Sequence, residues 1–182
     1  MKKVEMNEIA SEIKKYISNE KEEIIYCVSD GLYIFRSQNG AINDKYLTGN
    51  HNIIELGQSG GTIVQSEGDV GLALFKYNGW NQAKEWFARI YDYLKNKGLD
   101  IEINGNDLIT EGKYKVAAYA TIHVGNNKIY STIQISLNAN PNLINDICLK
   151  PMVKIPKGLS EYGITTQEIE QLIIKIASEF GE

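Results

Sequence analysis

Apolar residues near the N-terminus recur at three- and four-residue steps. Met6, Ile9, Ala10, Ile13, Tyr16 and Ile17 form one stripe, which predicts an amphipathic helix over 7–18. Two β-rich runs follow, 22–30 and 31–39, and Asp30-Gly31 between them predicts a hairpin. Residues 39–52 are polar and rich in Gly and Asn, a loop by composition. A strand over 51–56 leads into a glycine-bearing segment that reads as a loop at 57–61, a strand over 62–65, a turn at 66–69 and a strand over 70–77. A second helix is predicted over 81–97, with Ala83, Phe87, Ile90, Tyr91 and Leu94 on one face and Gly98 at its end.

Strands then recur at 99–103, 107–111, 113–124 and 128–139, joined by short Gly/Asn turns that imply antiparallel neighbours. Asn140-Pro141 opens a short helix with Leu143, Ile144, Ile147 and Cys148 on one face. After an irregular stretch the last helix begins at Thr165, where Thr165 and Glu168 have capping-box spacing. Runs of strands interrupted by a few helices, without regular alternation, predict an α+β fold: a mostly antiparallel sheet covered by helices. With 182 residues the chain is expected to form one domain, 1–182.

Composition narrows the function classes. The chain is 43% hydrophobic and 23% charged with a formal net charge of −4, ordinary globular usage without the cation excess that nucleic-acid binding requires. No apolar run approaches the ~20 residues of a membrane span, and the N-terminus lacks a signal-peptide stretch, so a cytoplasmic protein without a membrane partner is expected. Cys27 and Cys148 lie far apart, and only His51 and His123 accompany them, so neither a disulfide framework nor a metal site is expected.

Two segments carry candidate chemistry. Gly57-Gln58-Ser59-Gly60-Gly61-Thr62 could turn backbone N–H groups toward an anion, yet it lacks both the phosphate-loop and the dinucleotide patterns. Asn106-Asp107 precedes a strand on which Lys113, Lys115, Ala117 and Tyr119 share a face by period-two alternation. A lysine followed by small residues leaves room for a ligand above a sheet. Taken singly, the loop reads as an ordinary strand connection and Lys115 as a solvated lysine. Cys148 reads as a packed thiol, and no Ser/His/Asp arrangement is evident.

In their order along the chain, however, these pieces resemble the shared catalytic domain of lipoate–protein ligases, octanoyltransferases and biotin–protein ligases. Phe35-Arg36-Ser37-Gln38-Asn39 looks like the family's Gly-Arg-x-Gln-Asn. Ser59-Gly60-Gly61-Thr62-Ile63-Val64 is similar to the lipoate-ligase Ser-Gly-Gly-Gly-Ala-Val loop. Gly105-Asn106-Asp107-Leu108 through Gly112-Lys113-Tyr114-Lys115-Val116-Ala117-Ala118 resembles Arg-Asn-Asp-Leu…Gly-Lys-Lys-Ile-Ser-Gly, and residues 136–143 resemble the octanoyltransferase Leu-Asn-Val-Asn-Pro-Asp-Leu run.

The resemblance implies a class II aminoacyl-tRNA synthetase/biotin-ligase-like domain that transfers a lipoyl or octanoyl group to a lysine of a lipoyl carrier domain or glycine-cleavage H-type protein. Lys115 would stabilise charge on the acyl carbonyl. Ser59, Gly60, Gly61 and Thr62 would cover the acyl chain and nucleotide phosphates, Asn106 and Asp107 would position ATP or its magnesium, and Arg36, Gln38, Ala117 and Tyr119 would bind substrate. Lipoate or octanoate would be the substrate, with ATP and Mg in a ligase. Leu56-Gly57 replaces the family's arginine pair, Ser66 its histidine, and Pro151-Met152 stands where the transferase has its cysteine, leaving Cys148 as that enzyme's only thiol in the region. The chain is also too short for the C-terminal domain of many lipoate ligases, which leaves open a separate accessory chain as a partner. An octanoyltransferase using Cys148, a biotin ligase and a non-catalytic binding member stay open as alternatives.

Overall fold

The computed structural model describes residues 1–19, 22–37, 40–49, 51–55, 62–75, 79–124, 128–149 and 153–182. The chain runs through β1 (Lys2–Lys3), a 3-10 turn, α1 (Ile9–Asn19), β2 (Glu23–Val28), β3 (Tyr33–Arg36), α2 (Asp44–Leu47), β4 (Asn52–Glu55) and β5 (Thr62–Gln65). It continues through β6 (Val70–Phe75), α3 (Gly79–Asn96), β7 (Ile101–Asn104), β8 (Asp107–Thr110), β9 (Tyr114–Val124) and β10 (Lys128–Ile135). α4 (Pro141–Ile147), β11 (Ile155–Pro156), a second 3-10 turn and α5 (Thr166–Glu179) complete it.

The architecture is α+β, as the pattern predicts. A large, mostly antiparallel sheet has the order β1-β2-β6-β10-β9-β8-β7, with β11 added beside β9. A small sheet, β4-β3-β5, stands apart from it. On one face of the large sheet, Trp86, Phe87, Ile90 and Leu94 of α3 and Ile169 and Ile173 of α5 pack against Leu108, Ile133 and Ile135. On the other, Ile9, Ile13 and Tyr16 of α1 meet Ile25, Phe75, Tyr130 and Phe35. A third cluster joins the small sheet to α2 and α4 through Ile34, Tyr46, Val64 and Ile147. Burial of these apolar stripes is the main force holding the layers together. No helix among the described residues is long and apolar enough to cross a membrane.

The helices follow their sequence signals. Thr165 and Glu168 make both capping-box bonds, 3.2 Å from Glu168 N–H to Thr165 Oγ1 and 2.9 Å from Thr165 N–H to Glu168 Oε2. Asn140 caps α4, and Gly98 takes the positive φ of 88° that stops α3.

Two expectations are corrected. Asp30-Gly31 does not make a hairpin, because β2 and β3 belong to different sheets. β2 is flanked by β1 and β6 and buried from Ile24 to Cys27, so it offers no edge to its successor. The polar stretch 39–52 also contains a short helix, α2, capped by Asn43.

Candidate functional site

A cavity of about 460 Å³ lies between the large sheet and a lid made of the small sheet and α4, a size typical of small-molecule sites. Its floor follows from strand register. Cys27, Gly71, Gln134, Ala118 and Asp107 stand directly opposite one another across β2, β6, β10, β9 and β8. Residues directly paired across a sheet project to one face, and neighbouring strands lie about 4.8 Å apart, which sets Asp107 roughly 14 Å from Gly71. Asp107, Ala118 and Gln134 of this row line the cavity, whereas Gly71 and Cys27 lie in the wall of a second, smaller cavity, and Gln134 donates to the Val64 carbonyl at 3.0 Å at the boundary between the two. The larger cavity is a trough with a polar mouth at Asp107.

Lys115 reaches this face through a β-bulge. Leu108 pairs with Ala117 but Ile109 pairs with Lys115, so Val116 is an extra residue in β9. One inserted residue reverses the phase of the alternation. Lys115 therefore shares a face with Asp107 and Ala118, while Tyr119 is turned to the helix-covered side, its ring 4.9 Å from that of Phe87. The expectation that Lys115 and Tyr119 share a face is overturned, and Tyr119 does not line the cavity. Ala117 does, at the bulge.

At the mouth, Asp107 sits between two ammonium groups. Lys115 Nζ is 2.9 Å from Oδ1 and Lys154 Nζ 2.7 Å from Oδ2. Lys154 also donates to the Asn104 carbonyl at 3.3 Å. Burial works to raise the Asp107 carboxyl, but the hydrogen bonds from Lys154 and Lys115 outweigh it and hold the group below its ordinary value. The aspartate keeps two cations aimed at one spot, leaving a net positive corner suited to an anion or a developing oxyanion.

Lys154 has no signal in the local sequence. It arrives because β11 pairs in parallel with β9, Ile155 opposite Tyr114 and Pro156 opposite Lys115. The other predicted residues distribute as follows. Thr62 lines the cavity and donates to the Ala41 carbonyl at 3.2 Å. Asn106 is at the exposed β7–β8 turn, where its carbonyl accepts the Tyr119 N–H at 2.9 Å. Arg36 pairs with Glu55 at 3.5 Å on the small sheet and is not a wall of the cavity. Ser59, Gly60, Gly61 and Gln38 lie outside the described residues, as do Pro151 and Met152.

Cys148, at the end of α4, lines the same cavity, and burial pushes its thiol up from the ordinary range, the opposite of what an activated nucleophile needs. The residues present do not fit a protein-held magnesium. Both Asp107 oxygens are occupied by lysines, and among the described residues no group of three or more His, Cys, Asp or Glu is placed to hold a metal.

No protein-family model matches the sequence, and no curated protein does. Solved structures do match. The bipartite lipoate protein ligase of Thermoplasma acidophilum, studied with its E2 lipoyl domain, superposes with a TM-score of 0.73 at 11% identity, covering 98% of this chain and 81% of that one. Plasmodium falciparum LipL1 in complex with lipoate gives 0.71 at 15% identity, covering 100% and 60%. Lipoate-protein ligase A bound with ATP gives 0.71 at 12%, covering 97% and 82%. At these identities the match establishes fold. The chain has the catalytic-domain fold of the lipoate–protein ligases, which biotin protein ligases share at lower similarity.

Proposed function

We propose that the protein transfers a medium-chain acyl group, lipoyl or octanoyl, to a lysine of a lipoyl carrier domain or H-type protein. The observation that carries this reading is the pair of cations at the mouth of the cavity, Lys115 and Lys154 on Asp107, above a floor that includes the small residues Ala117 and Ala118. Structures of the same fold hold lipoate and ATP, which supports these substrates.

In this reading the acid lies along the trough with its carboxylate at Lys115. The carboxylate attacks the α-phosphorus of ATP, the bond to the bridging oxygen breaks, and pyrophosphate leaves. The carrier lysine's neutral amine then attacks the acyl carbonyl carbon. The carbon–oxygen bond to AMP breaks, its electron pair leaves with AMP, and the proton released from the amine passes to solvent as the amide forms. Lys115 contributes most as negative charge grows on the carbonyl oxygen, because a fixed ammonium in a partly dry site needs no reorganisation. Lys154 and Asp107 hold it there.

Cys148 in the cavity wall favours a second reading, a transferase passing the acyl group through a thioester. Its raised thiol pKa weighs against that path.

The test is intact-mass analysis of a lipoyl domain incubated with the protein and either ATP plus lipoate or octanoate, or an octanoyl-carrier donor. Acylation with ATP supports the ligase; acylation from the carrier donor alone, abolished by Cys148→Ser, supports the transferase. If neither donor set acylates the domain, with or without an added accessory chain, and neither acids nor ATP raise the melting temperature, the acyl-transfer reading fails.

A further inference from the structure

The large cavity and its smaller neighbour meet at Gln134 of β10. In the row that crosses the large sheet, this residue stands between Ala118 of β9 and Gly71 of β6. It lines both the large cavity and the second one behind it, of about 70 Å³, and Ile63 is the other residue they share. The space behind is mostly apolar, walled by Ile25, Phe35, Ile122 and Tyr130 among others.

Gln134 is half-buried, and its amide reaches from the large sheet to the small one, donating to the Val64 carbonyl at 3.0 Å. β5, which carries Val64, is an edge strand of the small sheet, and this bond fastens it to the large one. The amide is thereby held across the passage between the two cavities. Swinging it aside costs the hydrogen bond. Its position along the row is also informative. Gln134 lies two strand spacings from Asp107, about 10 Å. With bonds of about 1.5 Å at near-tetrahedral angles, an extended eight-carbon chain spans about 9 Å. An acid anchored at Lys115, beside Asp107, and laid across Ala118 therefore brings its far end up to the Gln134 amide.

We infer that Gln134 is the end wall of the acyl trough and sets the length of chain it accepts. This rests on the acyl-trough reading above and names the residue that decides its substrate class. Acids of about eight carbons fit in front of the wall. A longer chain has to break the Gln134–Val64 bond and displace the amide before its extra methylenes reach the apolar space behind. The chain that stops at the wall leaves that space unused.

The test is isothermal titration of the intact chain with straight-chain saturated acids of six, eight, ten and twelve carbons, below their micelle concentrations. From six to eight carbons the affinity should rise about 10-fold, the gain from burying two methylenes. The ten- and twelve-carbon acids should bind no tighter than octanoate. Gln134→Ala opens the passage, so the rise should continue and the ten-carbon acid should bind about 10-fold tighter than it does to the unaltered protein. A lesion that is merely structural would weaken every chain length alike and leave the break in place. Where Gln134→Ala fails to fold, Gln134→Asn carries the test: one methylene shorter, it should move the break in the same direction by less. Affinity that climbs through ten and twelve carbons in the unaltered protein, or a break that stays put in the folded variants, would overturn the assignment of Gln134. If none of the four acids binds, the acyl reading of the trough falls as well, a result distinct from the first two.

Discussion

Replacing Lys115 by Met keeps the length and apolar stem of the side chain and removes only its charge. The structural consequence is expected to be small. Lys115 is 40% exposed and its Asp107 partner 18%, and Asp107 retains Lys154 at 2.7 Å. A part-exposed pair of this kind, screened by solvent, contributes ~0.5–1 kcal/mol. For a domain of this size that is a melting-temperature drop of about 1–4 °C. Catalysis should respond on another scale. Losing one preorganised donor to a developing oxyanion typically lowers turnover by about 10²–10³, equivalent to ~3–4 kcal/mol on the barrier. The assay is the rate of lipoyl-domain acylation by mass spectrometry at saturating acid and ATP, beside a circular-dichroism melt of the same preparation. A double-mutant cycle with Asp107→Asn isolates the pair: its coupling in stability should be under about 1 kcal/mol. A folded Lys115→Met protein that acylates within about threefold of the parent would refute the role given to Lys115.

Three further outcomes follow from particular contacts. A Cβ at Gly158 would press directly on the Leu137 carbonyl oxygen and lie 2.7 Å from its carbon, backbone that cannot swing aside, so Gly158→Ala should lose ~3 kcal/mol in urea denaturation; a loss under about 0.5 kcal/mol would show that the turn relaxes freely. Glu168 is held down to about 2 by the Lys97 ammonium at 2.6 Å and then by Thr165. Because its folded value lies below its unfolded one, its stabilisation is full above about pH 4.5 and lost as pH falls toward 2. Wild type and Glu168→Gln should thus differ in denaturation midpoint at pH 7 and converge at pH 2, and a gap independent of pH would contradict the pairing. Iodoacetamide at pH 8 should label Cys148 slowly and Cys27 hardly at all, since burial raises the Cys27 thiol to about 11; peptide mass mapping that found Cys27 labelled first would reverse that ordering.

How far the chain could be read without coordinates depends on the range of the interactions involved. The helices, their caps and the antiparallel run from β7 to β10 are local matters. Apolar periodicity, Thr165 with Glu168, and the short turns at 105–106 and 111–113 specify them within a few residues of sequence. The same locality explains why Asp107 and Lys115 were legible as neighbours: one tight turn joins their strands, and the 2.9 Å ion pair follows. Strict alternation, by contrast, assigns Lys115 to the face of Tyr119, because a period of two has no place for the extra residue at Val116. Whether a strand bulges depends on how both its faces pack, and that is settled only when β8, β9 and the helices meet.

The same limit separates the rest. β2 and β3 carry a good hairpin signal, yet β2 is claimed on both sides by β1 and β6, and strand partnership is decided by competition across the whole sheet. Lys154 enters the site through a two-residue parallel pairing too short to leave a pattern, and Gln65 comes to lie over Gly71 only because the small sheet folds onto the large one. Local chemistry in the chain determined which elements form, how they end and which lysine stands beside which aspartate. The tertiary structure decided which face those groups share, which distant cation joins them and which residues wall the cavity, because such properties belong to contacts between elements whose energies no single segment contains.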